Sequence, residues 1–107
     1  MTETKIYIGL NDAESLKQEH DTIKYVSILK NVCRSYHVPF SCSVAQGGYF
    51  HEDGRYTQET TLILSLIDIE SDTVNEIARD LCAFFRQESV LITENKVRSY
   101  TVNERLE

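Results

Sequence analysis

Apolar and polar side chains alternate along residues 4–10 (TKIYIGL). Ile6, Ile8 and Leu10 fall on one side and Lys5, Tyr7 and Gly9 on the other, which is the period of a strand. The pattern lapses in residues 11–20 (NDAESLKQEH), a polar connection with at most a short helical turn. Steps of three and four return in DTIKYVSILKNVCRSY, where Ile23, Val26, Leu29 or Lys30, Cys33 and Tyr36 predict a helix capped by Asp21 and ended before Pro39. Two β-rich runs, FSCSVAQGGYF and QETTLILSLIDI, flank Asp53-Gly54 and predict a hairpin. SDTVNEIARDLCAFFRQ predicts a second helix, capped by Ser71 or Asp72, with Val74, Ile77, Ala78, Leu81 and Phe85 along one face. SVLIT reads as a short buried strand. NKVRSYTV reads as a last strand or an extended tail after a turn at Glu94-Asn95.

The order β-α-β-β-α-β predicts a ferredoxin-like α+β fold over residues 1–107, one domain. Its antiparallel sheet carries both helices on one face. The hairpin between the second and third strands is about eight residues longer per strand than a core of this size needs, so its tip is expected to project.

A two-residue type I′ turn at Asp53-Gly54 sets a register by counting outward. Glu52 then pairs with Arg55, His51 with Tyr56, Phe50 with Thr57, Val44 with Ile63 and Ser41 with Leu66. That register places Phe40, Val44, Ile63 and Ile67 on the face away from the leucines, where helices lying on a single face leave them uncovered. A homo-oligomer, a dimer or larger, is therefore expected to cover this face, sheet against sheet or through shared strands. A bulge at Gly47-Gly48 would shift the phase by one residue.

Composition changes this picture little. The 41% hydrophobic content is ordinary, no apolar run approaches a membrane span, and the basic and apolar segments of a signal peptide are missing from MTETKIYIG, so a cytoplasmic protein is expected. The formal net charge of −6 argues against binding a phosphate backbone. Cys33, Cys42 and Cys82 are odd in number and lack metal-ligand spacing, and read as reduced, small hydrophobic side chains.

Candidate chemistry gathers in AQGGYFHEDGRYTQET, residues 45–60. Tyr49, Phe50 and Tyr56 supply contact area, and Gly47-Gly48 lets the arm bend or another backbone approach. His51, Glu52 and Asp53 are an acid/base or metal-ligand set by type. Neighbours on a strand point to opposite faces, however, so the polar tip of a turn is the preferred reading, and no catalytic residue, metal or cofactor is assigned. On the second helix Asp72, Glu76 and Asp80 form an acidic stripe whose spacing does not favour the helix itself. Lys30 and Arg34 on the first helix offer charge balance to it.

The segments KIYIGLND, GGYFHEDGRYTQET, TLILSL and QESVL resemble an uncharacterised family of small bacterial and phage proteins, with the pattern YxGLN…GxYxxEDGxxxxE…QESVL. The resemblance implies a phage or mobile-element context and brings no catalytic residues. The reading that follows is a homo-oligomeric, non-enzymatic module that binds a small ligand or protein partner between subunits. Tyr7, Tyr49, His51, Arg55, Tyr56 and Glu88 are its candidate contacts. Two alternatives stay open. One is an anti-defence protein, such as a CRISPR inhibitor, docking through Asp72, Glu76 and Asp80; the other is a small enzyme using His51 or Glu88 as acid or base.

Overall fold

The alternation in the first segment forms β1 (Thr2–Gly9), with Thr4, Ile6 and Ile8 buried and Lys5, Tyr7 and Gly9 half-buried on the opposite face. The computed structural model describes residues 1–105; the last two residues of the expected domain lie outside the described residues. The remaining elements are α1 (Thr22–Ser35), β2 (Ser41–Phe50), β3 (Tyr56–Ile67), α2 (Ser71–Phe85) and β4 (Leu91–Lys96). They build one antiparallel sheet of strand order β2-β3-β1-β4 with both helices on one face, the ferredoxin-like arrangement. Among the described residues no helix is long and apolar enough to cross a membrane.

The core lies between that face and the helices. Ile6, Ile8, Leu62, Leu64 and Leu66 of the sheet meet Leu29 and Cys33 of α1 and Ile77, Leu81 and Phe85 of α2. All five apolar residues expected on α2 are buried. The buried face of α1 is rotated from the expected one: Tyr25, Leu29, Val32 and Cys33 face the core, and Ile23 is exposed. Desolvation raises the buried Cys33 thiol to a pKa of about 11, so it stays protonated at neutral pH. Asp21 occupies the cap position of α1 without a side-chain bond, and Glu70, rather than Ser71 or Asp72, stands at the cap of α2. β4 is an edge strand that runs straight through Glu94 and Asn95, with Leu91 exposed, so neither the turn nor the fully buried strand is formed.

The hairpin register differs from the expected one by a single residue, and the cause is its turn. The His51 N–H donates to the Arg55 carbonyl at 2.8 Å and the Gly54 N–H to the His51 carbonyl at 2.9 Å, closing a three-residue loop of Glu52, Asp53 and Gly54. Gly54, at φ +90°, takes the left-handed position that such loops reserve for glycine. Arg55 consequently pairs with Asp53, at 2.6 Å, and not with Glu52. Phe50 now opposes Tyr56, Val44 opposes Leu62 and Ser41 opposes Ser65, and the ladder runs through Gly47 and Gly48 without a bulge.

A one-residue slip exchanges the faces of a whole strand relative to its neighbour. The four residues expected on one uncovered face therefore divide. Phe40 packs against the core and Val44 sits beside Leu62 on the helix side, whereas Ile63 and Ile67 remain on the open face. There Ile63 lies opposite Tyr7, and Tyr7 opposite Leu91, giving an apolar row across three strands.

Candidate functional site

β2 and β3 outrun the rest of the sheet. Beyond the pairing of Gly9 with Thr61, the five pairs from Gln46–Thr60 to Phe50–Tyr56 form a two-stranded arm, shorter than expected but projecting as expected. The molecule is 62 Å long and 28 Å across. The chain leaving β1 follows the base of this arm: the Leu10 N–H donates to the Thr60 carbonyl at 3.0 Å and the Asn11 N–H to the Glu59 carboxylate at 3.0 Å. Glu59 lies directly over Gly9, where a Cβ would collide with its carboxylate. A close approach of this kind is what the glycine in YIGLN permits.

A recess of about 540 Å³ opens at this junction. The arm forms one wall with Tyr49, His51, Arg55 and Thr57, and Glu59 lies at its root. All five occupy odd-numbered positions of the hairpin and share the face that the three-residue turn assigns to them. His51 Nε2 lies 2.7 Å from the Thr57 hydroxyl, and the His51 and Tyr49 rings are 5.1 Å apart.

The other wall comes from two loops, with Asn11, Asp12 and Ala13 after β1 and Gln87, Glu88 and Ser89 after α2. Asp12 is buried, and its carboxylate accepts the N–H groups of Glu14 at 2.8 Å and Ser15 at 3.1 Å. Its second oxygen meets the Arg86 guanidinium at 2.7 Å. These main-chain N–H groups first, and Arg86 after them, hold the Asp12 carboxyl below the usual carboxylate range. Arg86 ends α2 in the left-handed conformation, φ 54° and ψ 49°, a position that commonly falls to glycine. From there it also reaches Glu14 at 2.7 Å, and its carbonyl accepts the Ala13 N–H at 3.0 Å. Gln87 completes the seam by donating its amide to the Asn11 carbonyl at 2.5 Å.

Of the expected contacts, Tyr49, His51, Arg55 and Glu88 line this one recess. Tyr7 shares the open face but lies below, two residues from Gly9. Tyr56 points to the reverse of the arm, 5.2 Å from Phe50 and with its ring over Gly48. Glu59, Asn11, Asp12 and Gln87 were not singled out from the sequence; the one local hint was Asn-Asp directly after a strand, a turn-forming pair. The acidic stripe is divided as well. Asp72 and Glu76 are exposed, whereas Asp80 accepts the Tyr36 hydroxyl proton at 2.7 Å, a bond that raises the Tyr36 pKa to about 12.

No family model and no curated protein matches the chain. Solved structures do. A phage SAM lyase in complex with S-methyl-5′-thioadenosine superposes with a TM-score of 0.67 at 18% identity, over 89% of this chain and 80% of that one. A phage SAM lyase in its apo state gives 0.68 at 17%, over 88% and 78%. A point variant of CutA1 from Pyrococcus horikoshii OT3 gives 0.58 at 10%, over 94% and 87%. At these identities the likeness is one of fold.

Proposed function

We propose that the recess at the root of the arm binds a sulfonium or thioether nucleoside, and that the chain cleaves S-adenosylmethionine to release S-methyl-5′-thioadenosine. The observation that carries this reading is the convergence of an aromatic pair, Tyr49 and His51, with the carboxylates of Glu59 and Glu88 around one opening. A nucleobase is a flat π-system that stacks on such rings. A sulfonium is a cation, favoured by carboxylates and by the face of a tyrosine. Asn11, Gln87 and Ser89 add amide and hydroxyl groups of the kind that fix a ribose or an amino-acid head. The fold likeness to a protein solved with S-methyl-5′-thioadenosine adds support of a separate kind.

Cleavage of the carbon–sulfur bond to the amino-acid chain leaves the bonding pair on sulfur as a neutral thioether, while the substrate's own carboxylate oxygen bonds the released carbon and closes a lactone, so that no further reactant is consumed. Glu59 and Glu88 are assigned to holding the cation, Tyr49 to stacking the base. The protein is read as a homo-oligomer, its open face of Tyr7, Ile63, Ile67 and Leu91 covered by a second copy.

Incubating the protein with S-adenosylmethionine and following S-methyl-5′-thioadenosine by chromatography tests the reading directly. Calorimetry with each compound separates binding from turnover. Release of the thioether over time makes the chain a lyase; binding of both compounds without turnover leaves the non-enzymatic module. Absence of binding by either removes the assignment. The variant Glu59→Gln keeps an acceptor for the Asn11 N–H but removes the charge. It is expected to weaken S-adenosylmethionine roughly tenfold while leaving the uncharged thioether within about twofold.

A further inference from the structure

The sheet has an unguarded edge. β2 is paired with β3 on one side only, and none of its ten residues, SCSVAQGGYF, is charged or proline. Edge strands ordinarily carry such residues, because unpaired N–H and C=O groups recruit other strands. Hydrogen-bonded pairs alternate along an antiparallel ladder. Counted from the bonded pair His51–Arg55, the main-chain groups of Cys42, Val44, Gln46, Gly48 and Phe50 point outward. Val44 is 52% and Phe50 73% exposed at this edge.

The same chain carries a strand without a sheet. After β4 the Val97 N–H donates to the Met1 carbonyl at 3.0 Å, and residues 98–105 are then exposed throughout. Their sequence, RSYTVNER, holds the aromatic Tyr100 and the β-branched Thr101 and Val102 in succession, residues that favour strands. The Arg98 guanidinium lies 5.3 Å from the Tyr100 ring, the contact between residues two apart that an extended chain makes. Tyr100 is 73% and Val102 84% exposed, and both fall on the Arg98 side.

We propose that residues 97–105 of one copy add as a fifth strand to the β2 edge of a neighbouring copy, head to tail, so that the assembly closes as a ring. The tail leaves the sheet beside β4, at the opposite edge from β2. Fully extended, nine residues span about 30 Å, nearly the length of β2. Reaching the β2 of its own copy would first cross three strand spacings, about 14 Å, and leave little for pairing. On a neighbour the whole tail pairs, and Tyr100 and Val102, two residues apart, cover one of the two exposed side chains, Val44 or Phe50. A heterologous contact of this type yields rings when its rotation closes.

The proposal rests on the homo-oligomeric reading above and not on the ligand. Light scattering coupled to size-exclusion chromatography tests it with the full chain, a chain ending at Val97, and Gln46→Pro. The proline removes an outward N–H while leaving the β2–β3 ladder paired. The full chain is expected to run as an oligomer, and both variants as monomers with unchanged circular dichroism, because in this proposal the open faces meet only inside the closed ring. Mixed together, the two variants are expected to form a one-to-one pair, because one retains a free edge and the other a free tail. Should truncation unfold the protein, Gln46→Pro decides alone. An oligomer that survives both changes overturns the tail exchange and leaves the open-face oligomer standing. A monomeric full chain overturns both.

Discussion

The two walls of the recess are built on opposite principles. The loop wall is tied to itself: Asp12 accepts two main-chain N–H groups and a guanidinium, Arg86 grips Asp12 and Glu14, and Gln87 bonds Asn11. The arm wall is a two-stranded ribbon beyond the core, held by its own ladder and by aromatic pairs on each face. Isolated ribbons of this kind are only marginally stable. One wall thus presents fixed polar groups and the other an adjustable aromatic surface, a division suited to closing over a ligand. Glu59 joins them, since it belongs to the arm by sequence and bonds the Asn11 N–H of the loop.

The sharpest way to break this contrast is at Arg86. Arg86→Ala removes the guanidinium from a buried carboxylate and keeps a side chain in the left-handed conformation, and is expected to give the largest loss in thermal unfolding. Arg86→Gly loses the same ion pairs but adopts φ 54° freely, so it should be more stable than the alanine variant by about 1 kcal/mol. Equal stabilities would show that the left-handed residue costs nothing.

On the arm, Tyr49→Ala is expected to abolish nucleoside binding in calorimetry while changing unfolding free energy by less than about 0.5 kcal/mol. A large destabilisation would mean that the arm is part of the core. Gly9→Ala acts where the walls meet. It drives the Glu59 carboxylate aside, and should weaken S-adenosylmethionine by about tenfold, or about 1.4 kcal/mol, with little effect on the fold.

The smallest effect is expected from pH. Asp12 titrates below its ordinary value of 3.8 in the folded protein, so its contribution to stability is fully present above that value. It is lost as pH falls through the lower, folded value. Acid unfolding of Arg86→Gly should therefore begin at a higher pH than that of the native protein.

The sequence made α2 fully legible, because Val74, Ile77, Ala78, Leu81 and Phe85 lie at helical steps and share one buried face. It misled on α1, where Ile23 and Tyr25 compete for the core and packing chose the tyrosine. The hairpin was legible as a hairpin but not in register, since Asp-Gly suits both a two-residue turn and a three-residue loop with glycine in the left-handed position. Tyr49, His51, Arg55 and Glu88 were singled out by residue type, and the fold gathers them at one recess. Their companions were hidden for a physical reason: Asn11 and Glu59 are 48 positions apart, and Gln87 reaches Asn11 across 76, distances that no local pattern encodes.

The three-residue tip carries an evolutionary consequence. Its length sets a parity: with an odd loop Tyr49 and His51 face the recess, whereas an even one would tend to turn Phe50 and Glu52 toward it. Lineages that alter this tip should therefore gain or lose residues in pairs. A single inserted or deleted codon there would turn one strand over against the other along the whole ladder, core end included, unless a bulge absorbed the extra residue.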